Sequence, residues 1–395
     1  MMHNEHFNRN KVHLVSLVAF MLGFLDAFSI YILSSYFATV IGSDNVGVFY
    51  LIAYSGVLLA LFYLQPLIRI IGKARALYLF LGITILASVM LTRLDVSWSA
   101  IAIILIFMMA LNVTLTTLDI FLESFSKDQL SGRIRGRYLT IVSVGFLVAP
   151  ILATSVLERS GYGGIFFILV LGYIAAFLVA LIGFRNDNGV FQEKILLRQT
   201  LRKMMREKNL LRIYHISFTL DFFYAMMVVY TPLYLRSLGY AWNEIGIIFT
   251  LMLVPFVILQ YPVGILADKR LGEKELLIGS ILIAAVTTGA LGFLDTHNLW
   301  IWGGALFLTR IGIAGLSVLR DSYFYKQIDG DNMDVIAFFR TALPMANIFG
   351  ALFAAILLVF FPLQSIFFAA AGMLFLSLFS AGTLEDTKSE RELRA

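Results

Sequence analysis

Residues 261–275 read Tyr261-Pro262-Val263-Gly264-Ile265-Leu266-Ala267-Asp268-Lys269-Arg270-Leu271-Gly272-Glu273-Lys274-Glu275. An apolar run ends here, a dense charge cluster follows, and a new apolar run opens at Leu276. The spacing of Gly264, Asp268 and Gly272 sets a carboxylate at the end of an apolar helix, beside a short basic turn. The chain carries a worn copy of this passage. A gapless shift of 200 residues lays Gly272 on Gly72 and Lys269 on Arg69, and 46–71 reads as an apolar segment like 245–267. The loop at 69–75, Arg-Ile-Ile-Gly-Lys-Ala-Arg, keeps its length but has lost its carboxylate, because Ile68 stands opposite Asp268.

The rest of the chain has the composition such helices need. Of 395 residues, 60% are hydrophobic and 14% charged, and the mean hydropathy is +0.87. No soluble domain of this length buries so much apolar sequence, so the chain reads as an all-α integral membrane protein. The lack of cysteine excludes a disulfide framework and thiolate metal or redox sites. The net charge of +5 is not a nucleic-acid signal, because the basic residues sit in short loops between spans. No cleavable signal peptide is read, since 1–11 is short and polar and the apolar segment after it is too long.

Twelve spans follow: 12–37, 46–71, 75–92, 97–122, 136–157, 162–184, 212–235, 243–267, 275–294, 298–319, 334–361 and 364–382. Each is near or above the roughly 20 residues that cross a bilayer, and lipid favours helices because it offers no partner for an open backbone. Lys and Arg concentrate in one set of loops and in both tails. The other loops carry only Arg93, Arg159 and Arg236, and Arg310 and Arg340 fall inside spans. By the positive-inside rule both termini are cytoplasmic. The division is 1–184 and 212–382 as two six-helix halves, with a linker at 185–211 and a tail at 383–395. In the linker, Leu196, Leu197, Leu201 and Met204 form an apolar face against Arg198, Arg202, Lys203 and Arg206. That pattern suits an amphipathic helix on the inner membrane surface, or a solvated linker that only orients the chain.

The passage at 261–275 resembles the signature loop between the second and third helices of each half of major facilitator superfamily transporters, roughly Gly-x-Leu-Ala-Asp-Arg/Lys-x-Gly followed by two basic residues. Gly264, Leu266, Ala267, Asp268 and Lys269 match. One extra residue precedes Gly272, and Glu273 stands where a basic residue is usual. Internal repeats are a transporter hallmark. The resemblance implies a twelve-helix fold in two six-helix halves related by pseudo-two-fold symmetry, alternating access, and a plasma-membrane or inner-membrane location. It also implies that spans 1, 4, 7 and 10 line a central cavity, and that the loop carboxylate and neighbouring charges gate the transport cycle. In span five, Gly145 and Ala149-Pro150, with Ala153-Thr154, faintly resemble the Gly-Pro motif of the antiporter branch; a helix kink at Pro150 is the plainer reading.

Ionisable residues inside apolar segments mark the candidate pathway, since they are costly there and face a cavity or a partner. They are Asp26 in span one, Asp119 in span four, Asp221 in span seven and Arg310 in span ten. At about 1.5 Å per residue, Asp221 lies roughly 14 Å from Arg212 and Arg310 roughly 15 Å from Arg320. Both therefore read as midplane residues, either a static salt bridge or a pair that also contacts substrate or a proton. Asp26 reads as a candidate proton carrier, and Asp119, one turn from Glu123, as a charge near the cytoplasmic surface. Ser217, Asp221, Tyr224 and Thr231 share one helix face, as do Asn112, Thr116, Asp119 and Glu123. Aligning Glu123 with Asp321 puts Asn112 at the position of Arg310. Glu123 with Arg133 or Arg137 sits at the span four–five turn and Asp321 with Arg340 at the equivalent turn ten–eleven; the resemblance implies that with Asp268 they form cytoplasmic charge networks. Aromatic residues flank Asp26 (Phe24, Phe28, Tyr31) and Asp221 (Phe222, Phe223, Tyr224), as an amphipathic substrate or a lipid-facing surface would require.

No catalytic set is read, because the five histidines are scattered and neither a His-Glu-x-x-His motif nor a nucleophile elbow occurs. There is no Walker-type loop, so a gradient supplies the energy. The expected function is proton-coupled export of an organic, amphipathic compound. The alternatives are uptake of a small polar solute such as a sugar or organic acid, with Arg310 binding an anion, and a transport-inactive membrane sensor or assembly factor. Expected partners are a small-molecule substrate, protons and the bilayer, with no nucleic acid, no cofactor and no metal, in a monomer.

Overall fold

The computed structural model describes residues 9–125, 131–185, 207–267, 272–327, 335 and 338–385. The described residues are helical with no strand. The helices are α1 (Arg9–Ile41), α2 (Gly47–Ile71), α3 (Lys73–Leu91), α4 (Trp98–Phe125), α5 and α6 within Ser131–Gly183, α7 (Lys208–Ser237), α8 (Trp242–Leu266), α9 (Lys274–Leu291), α10 (Leu299–Lys326), α11 (Ala342–Phe360) and α12 (Ser365–Thr383). Among the described residues, eleven stretches are long and apolar enough to cross a membrane. One of them, Thr140–Gly183, has 44 residues, about 66 Å of helix against a core of roughly 30 Å. Its backbone breaks at Gly161, with φ 63° and ψ −166°, where a side chain would be strained. The stretch is therefore two spans, α5 (131–160) and α6 (162–183), and the total is twelve. The backbone stays helical through Pro150; the break of this stretch lies eleven residues later.

Span eleven differs from the sequence expectation. It was expected to begin at 334 and to contain Arg340. Instead α11 starts at Ala342 with Thr341 as its N-cap, and Arg340 lies in the turn before it. Pro344 explains the start, since a proline without an N–H fits the first helical turn, where that donor has no partner anyway.

The chain divides into two compact units, Met1–Ser43 with Ile52–Glu193, and Asp44–Leu51 with Lys194–Ala395. In the first, α1 packs on α4 and on the α5–α6 stretch, and α3 packs on α4 and on that stretch. In the second, α7 packs on α10, α11 and α12, while α9 packs on α10 and α12. The same pairs recur because one fold is built twice. Lipid supplies no hydrophobic drive between helices, so small residues bring them close. A Cβ on Gly145 of α5 would sit 3.1 Å from the carbonyl of Phe20 on α1, and one on Gly350 of α11 would sit 2.9 Å from the Cβ of Ala225 on α7.

Another close approach in the second unit is at Gly312 of α10, where a Cβ would meet the Ala284 nitrogen at 2.5 Å and the Ser280 carbonyl at 2.6 Å on α9. Backbone atoms cannot rotate away. Gly312→Ala is expected to lower stability by about 1–3 kcal/mol, in spite of alanine's better helix propensity. Thermal unfolding in detergent checks this, and an unchanged or raised midpoint would show that the helices slide apart freely.

Gly72 and Gly272, the repeat-related glycines, both have positive φ, 86° and 71°. Each closes the preceding helix, the Gly72 N–H donating to the Ile68 carbonyl at 2.8 Å and that of Gly272 to the Ala267 carbonyl at 3.2 Å. The shared positive φ is the physical reason both copies keep glycine there.

Candidate functional site

The polar face expected on α7 is present, but it meets α10 in a register the sequence reading did not foresee. Tyr224 on α7 shares a hydrogen bond with Ser317 on α10, their hydroxyl oxygens 3.2 Å apart. One turn away, Arg320 of α10 faces Asp221 (Nη1 to Oδ1 3.5 Å) and donates to Ser217 at 3.2 Å. The same guanidinium donates from Nε to Asp321 at 2.9 Å, and its Nη2 lies 2.9 Å from that carboxylate. One cation thus serves two carboxylates. Asp221 is only 6% exposed. Arg340, in the turn before α11, lies within electrostatic reach of Asp221.

The expected midplane pair of Asp221 with Arg310 does not form; Arg320 takes the carboxylate instead. The reason is register. Arg310 lies seven residues beyond Ser317, about 10 Å along α10, and the partner of Ser317 is already one turn past Asp221. Arg310 is nonetheless buried, 1% exposed, with its guanidinium carbon 5.0 Å from the ring centre of Phe223. Such a cation–π contact compensates part of the cost of a charge at depth. The aromatic residues beside Asp221 are packed between helices, Phe222 edge-on to Phe353 of α11 at 5.9 Å, and do not face lipid.

In the first unit, Asp26 is half-buried in α1. Its carboxylate has no ion-pair or hydrogen-bond partner among the described residues. Tyr173 of α6, fully buried, lies within electrostatic reach of it, and the Tyr173 hydroxyl has no hydrogen-bond partner among the described residues. Asn112 turns its amide back to the Met108 carbonyl at 2.9 Å on its own helix. Asp119 is half-buried near the end of α4.

Of the signature loop, Gly264, Gly272, Arg69 and Gly72 are described, while Asp268 and Lys269 lie outside the described residues, as does most of the 185–211 linker. The side chains of Glu123, Arg133 and Arg137 also lie outside them. Gly264 faces Val318 of α10, where a Cβ would be in ordinary contact at 3.4 Å.

Glu273, the departure from the loop pattern, has a clear place. It is fully buried and accepts from Ser322 at 2.7 Å and from Lys326 at 2.5 Å, both on α10. Its repeat mate in the gapless shift is Lys73, also buried, which lies 4.9 Å from the ring centres of Phe121 and Phe125 on α4. The two halves tie equivalent helices with opposite charges. Lys326→Met, which leaves a buried carboxylate without that cation, is expected to lose more stability than Glu273→Gln, which keeps the shape and drops the charge. Unfolding midpoints in detergent compare the two; the reverse order would mean that Glu273 does not depend on Lys326.

Comparison with known proteins bears on the same features. The sequence profile of the Major Facilitator Superfamily matches residues 15–244 and again 237–394. No curated protein matches the chain in sequence. Among solved structures, a bacterial homologue of the iron transporter ferroportin in an inward-facing state is similar, with a TM-score of 0.69, 14% identity, and coverage of 95% of this chain and 98% of that one. A bacterial homologue of ferroportin in an outward-facing state gives a TM-score of 0.66 at 16% identity, over 95% and 99% of the two chains.

Proposed function

We propose, since the chain belongs to the Major Facilitator Superfamily and is thereby a multi-pass membrane transporter and not an enzyme, that it exports an organic, amphipathic compound in exchange for protons. The observation that carries this reading is the shared guanidinium of Arg320. Asp221 and Asp321 compete for one cation inside a membrane helix pair. Protonating one carboxylate hands the cation to the other, so a proton changes how α7 and α10 are tied. Asp26, half-buried and without an ion-pair partner among the described residues, is the proposed second proton site. Arg310, seven residues further along α10, is the proposed substrate-reading charge, with Phe223 as its aromatic neighbour. The distribution of Lys and Arg supports a cytoplasmic side for both termini.

The ferroportin neighbours raise a metal cargo as the competing reading. Among the described residues no group of three or more His, Cys, Asp or Glu side chains comes together, and a divalent cation would need several such ligands. Proteoliposomes test the two together. An imposed pH gradient is expected to drive flux of a fluorescent amphipathic amine, and collapsing the gradient with an ionophore to stop it. Gradient-independent transport of the dye, or pH-driven transport of ferrous or manganous ion in its place, would overturn the reading. Flux of a sugar or organic anion lost in Arg310→Gln would instead establish uptake of a polar solute.

A further inference from the structure

A cavity of about 500 Å³ opens at the end of the second unit opposite Gly272. Tyr234, Ser237, Phe293, Asp295, Leu363 and Gln364 are among its walls. Its volume is that of a small-ligand site, and it lies well away from Arg320 and Asp221. Three helices end on it. α7 finishes at Ser237, α9 at Leu291 with Gly292 as its C-cap, and α11 at Phe360, and residues within or just after each last turn form the walls. Only α12 begins there. Helix C-termini each carry about half a negative charge, so three against one N-terminus leave the cavity negative.

The side chains add to that sign. Asp295 is exposed at the wall and has no ion-pair or hydrogen-bond partner among the described residues. The lining contains no Lys or Arg. Arg236, next in sequence to the wall residue Ser237, is engaged elsewhere: its Nη1 donates to the Tyr240 carbonyl at 2.8 Å, and its guanidinium lies 5.4 Å from the ring centre of Trp242. Aromatic surface completes the site. Tyr234 packs edge-on to Trp302 and Phe367, with ring centres 5.6 and 5.2 Å away. Phe293 is 81% exposed beside the cavity, as is appropriate to the lipid–water boundary.

We propose that this cavity binds a primary ammonium group, held by Asp295, the C-terminal carbonyls of α7 and α9, and the faces of Tyr234 and Phe293. A single carboxylate is too few for a hard divalent cation. An ammonium, with three donors and an affinity for ring faces, matches one carboxylate, carbonyls and aromatic walls. The group is carried by an ethanolamine lipid headgroup or by a soluble amine, and the position at the membrane boundary admits both.

The test uses the full chain in nanodiscs of phosphatidylglycerol, titrated either with phosphatidylethanolamine in the disc or with spermidine in solution, and read by thermal midpoint. Wild type is expected to gain stability with at least one amine. Asp295→Asn is expected to match wild type in pure phosphatidylglycerol and to need at least tenfold more amine for the same gain. Phosphatidylcholine, which cannot donate, is expected to act more weakly than phosphatidylethanolamine. A response to the lipid alone identifies a headgroup site, and a response to spermidine alone a soluble ligand; each supports the site if it depends on Asp295. An equal response in Asp295→Asn, no response to either amine, or an Asp295-dependent response to calcium alone would overturn the proposal.

Discussion

Arg320→Gln is expected to destabilise the protein by about 3–5 kcal/mol, the cost of leaving a buried charge without its partner. Two carboxylates, Asp221 and Asp321, would lose the guanidinium that now bridges them, and Ser217 would lose its donor. Arg340 acts on Asp221 only at longer range. Asp221→Asn alone should cost less, because Arg320 keeps Asp321 as its counter-charge. The double variant Asp221→Asn with Arg320→Gln should then be more stable than Arg320→Gln by itself. Thermal unfolding of all four proteins in detergent closes the cycle. Strict additivity would mean that the 3.5 Å contact carries no coupling. The same cycle on Asp221 and Arg310 should be additive, since they do not touch.

Asp26→Asn is expected to abolish accumulation of substrate against a gradient while leaving exchange intact. The half-buried carboxylate on α1 faces the reach of the Tyr173 phenol, and no cation is bound to it among the described residues. The asparagine keeps the shape and removes the proton-carrying group, so binding and facilitated exchange should persist. Proteoliposomes loaded with unlabelled substrate measure exchange, and those with an imposed pH gradient measure accumulation. If the variant still concentrates substrate, Asp26 is not where proton and cargo are coupled. If both activities vanish at normal stability, Asp26 reads the substrate itself.

Much of the fold was legible because lipid makes hydropathy nearly sufficient. The break between α5 and α6 shows it. The sequence reading ended one span at 157 and began the next at 162, and the backbone turns at Gly161. The 200-residue shift also identified two glycines that share a positive φ. The site was harder to read. Depth was measured on α7 from Arg212 and on α10 from Arg320, as if both marked one level. The helices run on to Lys208 and Lys326, and hydropathy cannot say how far each is shifted along the other. That offset gave Asp221 the wrong partner. The stripe of Ser317, Arg320 and Asp321, at spacings of three and four, was available as a signal, because it complements Ser217, Asp221 and Tyr224 across an antiparallel pair. Glu273 was visible only as a departure, since burial and partner are properties of packing.

The anchor at Glu273 makes the start of α9 answer to dissolved salt. The tie between Glu273 and Lys326 is an ion pair with one member 35% exposed, and the screening length shortens from about 30 Å at 0.01 M to 3 Å at 1 M. Hydrogen exchange at the first turn of α9 should therefore quicken as salt rises; an unchanged rate would mean that the pair is not screened. The electrolyte on that face of the membrane becomes a variable that loosens the point where α9 is tied to α10.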